Sequence, residues 1–181
     1  MKKYTALSLE NYLQELSNSE PVPGGGSVSA YTAALAMGLM QMVGRIALKR
    51  KKKASGNAQE EKKEGERRQT IEKIVNSIEK TKRDAFQIVN LDPSVYQEVI
   101  QASGSPDKME DALENSFRLQ ADLAFLVVMA REWNASLAEL VSGSIKNDLI
   151  VSAAFLEAAF RGAYHTANIN VYYMKDPVRK E

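Results

Sequence analysis

Apolar residues recur along this chain at helical spacing, and most breaks in that spacing coincide with glycine or proline. Leu9, Tyr12, Leu13 and Leu16 fall at i, i+3, i+4 and i+7 behind Ser8, a good cap, which predicts a short helix over 8–16. Residues 28–48 are apolar on most sides, as in a helix buried in the middle of a bundle. Residues 60–91 are polar but carry one stripe, Ile71, Ile74, Val75, Ile78, Ala85 and Val89, as one face of a long helix would. Asp92-Pro93 has the form of an N-cap followed by an N1 proline. It predicts a break there and a new short helix through Val95, Tyr96, Val99 and Ile100. Ser103-Gly104-Ser105-Pro106 stops that helix, and Pro106 or Asp107 opens another running to about residue 138. The last long helix is expected over 146–168, with Leu149, Ala153, Leu156, Phe160 and Tyr164 on one face. Residues 169–173 are β-prone and either extend it or end it. There is no strand alternation and no internal repeat. The expected fold is all-α, an antiparallel-type bundle of long helices with short ones between, as a single domain over 1–181.

Composition narrows the function more than the fold. The chain has 181 residues, 44% of them hydrophobic, and a net charge of +1, which gives no global bias toward nucleic acid or membrane. With no cysteine and a single histidine, His165, thiolate chemistry and His-rich metal sites are excluded, while carboxylate chemistry stays open. No metal is expected. The run 28–48 is just long enough to span a bilayer. Ser29, Tyr31, Thr32, Gln41 and Arg45 interrupt it, so a buried helix is the better reading. The first residues lack the apolar core of a signal peptide, and the expected location is cytoplasmic.

The densest chemical signal is Pro21-Val22-Pro23-Gly24-Gly25-Gly26-Ser27, ahead of the apolar helix. Consecutive glycines let another group approach the main chain closely. Ser27 in the N-cap position would aim free N–H groups and a partial positive charge at a ligand. A tight turn with no ligand explains the glycines equally well. The small-residue strip Ala30, Ala34 and Gly38, spaced by four, suits close helix–helix contact. Basic residues crowd 45–53; a solvated helix end suited to the dipole accounts for them, and an anion patch is the sharper alternative.

With these residues laid out, the chain resembles the cyclodeaminase/cyclohydrolase family of folate enzymes nearly end to end. The opening Leu7-Ser8-Leu9-Glu10-Asn11-Tyr12-Leu13, the Pro-x-Pro-Gly-Gly-Gly-Ser-Val loop and the helix from Asp92 to Ile100 carry the likeness. So do Asn147-Asp148, Gly162-Ala163 and Ile169-Asn170-Val171. Departures fall at Ser103-Gly104-Ser105-Pro106, Ser142, Ser144 and Asn147. The resemblance implies a reaction at the N5/N10 one-carbon bridge of tetrahydrofolate, as cyclodeaminase or cyclohydrolase, with tetrahydrofolate as carrier and no further cofactor. It places Asp148 and Asp92 as catalytic carboxylates. Gly24, Gly25, Gly26, Ser27, Ser144, Asn147 and Asn170 would hold the ligand, and Lys49, Lys52 and Lys53 would meet the folate tail. It also implies a homodimer with the ligand cleft at the subunit interface. The alternative is a folate-binding or dimerisation module on the same fold, without turnover. Taken on residues alone, Asp92 has the stronger competing role as a cap of its own helix. Asp148, at the head of the last long helix, is the sharper candidate.

Overall fold

The computed structural model describes residues 2–50 and 57–180. Six α-helices are assigned there: α1 (Leu9–Leu16), α2 (Gly25–Lys49), α3 (Ala58–Gln101), α4 (Pro106–Leu140), α5 (Asn147–Tyr173) and α6 (Pro177–Lys180). Short 3-10 turns at Tyr4–Ala6 and Ser144–Lys146 complete them, and no strand is present among the described residues.

The four long helices form an up-down-up-down bundle in which α2 packs on α3 and α5, and α4 packs on the same two from the other side. The direction of each helix follows from its cross-links. Ser27 meets Val89 and Asp92 while Gln41 meets Val75, so α3 runs antiparallel to α2. Ser152 Oγ donates to the Ala36 carbonyl at 2.9 Å, and the start of α2 lies against the end of α5. One end of the bundle therefore gathers the glycine loop, Asp92, the start of α4 and the end of α5. The other gathers Lys49, the start of α3 and the Ser142–Asp148 segment.

The core is the stripe that periodicity predicts on α3, with Ile71, Ile74, Val75, Ile78, Ala85 and Val89 all buried. Met37, Met40 and Val43 meet it from α2, and Leu123, Val127, Leu137, Leu149 and Leu156 meet it from α4 and α5. Full burial of side chains such as Met37, Ile71 or Leu123 contributes on the order of 1.5–3 kcal/mol each. Helix α2 is long and apolar enough to cross a membrane, but half of its most apolar window is buried in this bundle.

Four expectations are corrected. Asp92-Pro93 starts no helix: α3 continues through it to Gln101, and Asp92 is buried inside. The proline still acts as proline must. It has no N–H for the carbonyl of residue i−4, Val89, and that oxygen instead accepts Ser27 Oγ at 3.1 Å. Packing on both sides outweighs the local break signal. Second, Ser27 does not cap α2; Gly24 holds that position and Ser27 lies in the first turn. Third, the inward face of α5 is Leu149, Ser152, Leu156, Ala159, Ala163 and Ala167, whereas Ala153 and Tyr164 are exposed. Small side chains there let α2 come close: a Cβ on Gly162 would overlap Ser29 Oγ. Fourth, Ala30 and Ala34 are buried within the chain, and only Gly38 of that strip opens outward, with nothing within 4 Å of the point a methyl group would occupy.

Candidate functional site

A cleft of about 420 Å³ opens at the glycine-loop end, within the size range of small-molecule sites. The loop gives Pro21, Val22 and Gly24 to Gly26, and α3 gives Asp92, Tyr96, Val99 and Ile100. Leu113 and Ser116 come from α4; Thr166, Ile169, Asn170 and Tyr173 come from α5. One helical face of each element supplies the wall, at spacings of three and four.

Asp92 is the centre of the polar side. It is 8% exposed and sits in front of the first turn of α2. Its Oδ2 accepts from Ser27 N at 3.0 Å, and its Oδ1 accepts from Gln120 Nε2 at 2.7 Å. Burial pushes its carboxyl above the usual carboxylate value, while the Ser27 N–H and then Gln120 pull it back down. The carboxyl thus takes the place of a missing local cap: Gly24 has no side chain to offer, and a residue 65 positions away satisfies one of the orphan N–H groups of α2. The N–H groups of Gly25 and Gly26 have no acceptor among the described residues and remain free to bind a carbonyl or carboxylate.

Gly26 is where the sequence has no freedom. A Cβ there would stand 2.1 Å from Asp92 Oδ1 and 2.2 Å from Gln120 Nε2, so the main chain passes directly over the carboxyl. Gly25 is different: its nearest neighbour would be Thr166 Oγ1 at 3.7 Å, an ordinary contact. Ser27 is fully buried, its hydroxyl held between Tyr12 Oη at 3.0 Å and the Val89 carbonyl. It supports the site from behind and does not line it. Tyr12, whose phenol is pushed up by burial, ties α1 to the same point, with Tyr4 edge-on and Tyr31 tilted against its ring.

The residues expected from sequence divide between the two ends. Gly24, Gly25, Gly26, Asp92 and Asn170 come together at the cleft, with Asn170 Nδ2 donating to the Thr166 carbonyl at 2.8 Å. Ser144, Asn147 and Asp148 lie at the opposite end of α5, where Asp148 is half-buried in the first turn. The 22 positions from Asp148 to Asn170 span about 33 Å of helix. Within one chain Asp148 and Asp92 therefore cannot act on the same atom. Lys49 is exposed at the Asp148 end, and Lys52 and Lys53 lie outside the described residues. His165 is exposed beside Tyr164 and does not line the cleft. Gln120, Tyr96, Ser116, Thr166 and Tyr173 belong to the site without standing out in the sequence. A helical projection from Asp92 reaches Tyr96 and Val99, and one from Asn170 reaches Thr166 and Tyr173. No comparable signal points to Gln120.

Comparisons with known proteins place the chain in a family and match its fold. The family model described as formiminotransferase-cyclodeaminase matches residues 8–181. The formimidoyltransferase-cyclodeaminase of Mus musculus is 26% identical over 185 residues, covering 96% of this chain and 32% of that protein. The Dictyostelium discoideum protein of the same name is 24% identical over 177 residues, with 94% and 31% covered. This chain thus spans about a third of the length of the curated relatives it matches. Its fold superposes on a formiminotetrahydrofolate cyclodeaminase from Thermotoga maritima with a TM-score of 0.87 at 21% identity, covering 98% of this chain and 85% of the other. With the match extending over nearly the whole bundle, the chain belongs to the formiminotransferase-cyclodeaminase family.

Proposed function

We propose that this domain is a folate one-carbon enzyme that closes the bridge between N5 and N10 of 5-formiminotetrahydrofolate with loss of ammonia. The observation that carries the reading is the Asp92 carboxyl, buried on the cleft wall and held by Ser27 N–H and Gln120 in front of a helix N-terminus. The reaction needs one proton moved twice. N10 attacks the protonated formimino carbon and the C–N10 bond forms. Asp92 takes the N10 proton and passes it to the former imino nitrogen. The C–N bond to that nitrogen breaks, ammonia leaves, and the 5,10-methenyl cation remains. A carboxyl raised toward neutrality by burial suits both halves of that transfer, and its ionised form favours the cationic carbon. The aromatic and aliphatic wall, Tyr96, Ile169 and Tyr173, suits a flat ring, and the Gly25 and Gly26 N–H groups suit its carbonyl.

A homodimer is part of this reading. Leu35 and Met42 on α2, and Val151, Phe155 and Ile169 on α5, are exposed on adjacent helices. Gly38 lies near the middle of α2 and is open to approach. A two-fold axis near Gly38 and perpendicular to α2 would set the glycine-loop end of each chain beside its partner's Lys49 and Asp148 end. That arrangement would complete the cleft and give Asp148 and Lys49 access to the ligand. Light scattering on the purified protein is expected to give twice the chain mass of 20.1 kDa.

The direct test follows methenyl-tetrahydrofolate absorbance with purified protein and 5-formiminotetrahydrofolate. Absorbance rising with ammonia release supports cyclodeaminase action. Acceleration only of methenyl hydrolysis moves the assignment to cyclohydrolase. Folate binding without either change leaves a binding module and removes the catalytic reading.

A further inference from the structure

One of the two groups donating to Asp92 has an idle acceptor. Gln120 Nε2 bonds Asp92 Oδ1 at 2.7 Å, the side chain is fully buried, and its Oε1 has no partner among the described residues. Buried carbonyl oxygens in folded proteins nearly always accept a hydrogen bond, so this side chain holds an acceptor in reserve.

The two ends of a carboxamide have nearly the same shape and opposite hydrogen-bonding character. The two forms of a carboxyl group differ in the same sense: ionised, it only accepts; protonated, it also donates. Turning the Gln120 amide end for end keeps its volume and puts Oε1 where Nε2 now stands, beside Asp92 Oδ1. There it can accept from an Oδ1–H. Oδ2 keeps its bond from Ser27 N–H in either form. We propose that Gln120 is a positioning residue that serves both protonation states of Asp92, its amide donating to the carboxylate and, turned over, accepting from the carboxylic acid. This rests on the reading of Asp92 as the proton carrier, for which a partner that could only donate would favour the base form alone.

The surroundings leave this role to Gln120. The ionisable groups that share the site are Tyr12 from α1, Tyr96 from α3 and Tyr173 from α5. From α2 and α4 the nearest polar groups are Ser27, Ser116 and Gln120 itself. No lysine, arginine or histidine lines the cleft among the described residues. Among these groups Asp92 is the only carboxylate, and both of its oxygens are held by donors.

The experiment is an NMR titration of the full chain carrying carboxyl-labelled aspartate and side-chain-labelled glutamine, with Asp92 assigned by its loss in Asp92→Asn. The Gln120 Nε2 resonances are expected to move with the same midpoint as the Asp92 carboxyl. In Gln120→Met that midpoint is expected to rise by about one pH unit, because the ionised form loses one of its two donors. A Gln120 amide that stays constant while Asp92 titrates overturns the proposal. So does an unchanged midpoint in Gln120→Met, or an Asp92 that holds one state between about pH 3 and pH 9. If Gln120→Met fails to fold, the wild-type titration alone decides. None of these spectra needs substrate, so full turnover in Asp92→Asn would remove the functional reading separately.

Discussion

The two ends of the bundle both carry polar residues and do very different things with them. At the glycine-loop end, all four long helices bring polar groups to the carboxyl's surroundings, among them Ser27 from α2, Asp92 from α3, Gln120 from α4 and Asn170 from α5. They are buried and joined, or they line the cleft. At the other end, Arg50 closes the Ser142 carbonyl at 3.1 Å and Arg67 closes that of Leu140 at 2.8 Å. These contacts terminate α4 and leave Ser144, Asn147 and Lys49 in solvent. The first end is organised by one chain. The second is finished as a helix end and has a site only if a partner supplies the rest. Polar residues that look alike on a sequence motif are thus separated by whether their own chain desolvates them.

That contrast can be broken from the organised end first. Gly26→Ala forces a methyl into the Asp92–Gln120 pair, and we expect turnover to be lost together with a clear drop in melting temperature. Gly25→Ala is expected to fold and melt like the wild type, since the space exists. Equal effects of the two would show that the loop needs glycine for its path alone.

Asp92→Asn comes next, with turnover reduced at least about a hundredfold, the usual scale for a positioned acid–base group. It also has a signature in stability. The carboxyl is raised in the folded state, so between its ordinary and its raised value the folded protein binds more protons than the unfolded one. The Asp92 contribution is therefore most favourable below the ordinary carboxylate value and is lost as pH rises through that window. Urea titrations across it should show the decline in the wild type and not in Asp92→Asn.

The dimer reading is sharpened by mixing chains. Asp92→Asn and Asp148→Asn proteins should each be impaired, and refolding them together should restore about a quarter of wild-type turnover, from one intact cleft in each mixed dimer. If Asp148→Asn retains full turnover alone, the far end has no part in the chemistry. The smallest effect is expected at Lys49. Being exposed, Lys49→Ala should change KM for a long-tailed folate by no more than about threefold, and the change should vanish in high salt.

Much of the fold was legible because it rests on periodicity. The stripe from Ile71 to Val89 and the glycine and proline joints needed only spacing. The break expected at Asp92-Pro93 was not there, because a local signal cannot report that α2 docks against that turn and takes up both its carboxyl and the carbonyl left by Pro93. The site was half legible. The glycines, Asp92 and Asn170 lie on recognisable motifs, whereas Gln120 lies on α4 with nothing around it to distinguish it from a surface glutamine. The capping role that the sequence suggests for Asp92 is real, but it is exercised on another helix.

The carbonyl freed by Pro93 also bears on how the molecule comes together. Helix α2 begins with Gly24, which offers no cap, and its first turn is secured from α3 through Ser27 N, Ser27 Oγ, Asp92 and Val89. An isolated peptide of the glycine loop and α2 has none of these partners, so its first turn would fray. The binding end therefore assembles only as α3 docks, and its opening belongs with that of the core and not with local fluctuation at a helix end. Amide exchange at Ser27 should accordingly be as slow as exchange in the middle of α2, which would make the cleft a cooperative property of the whole bundle.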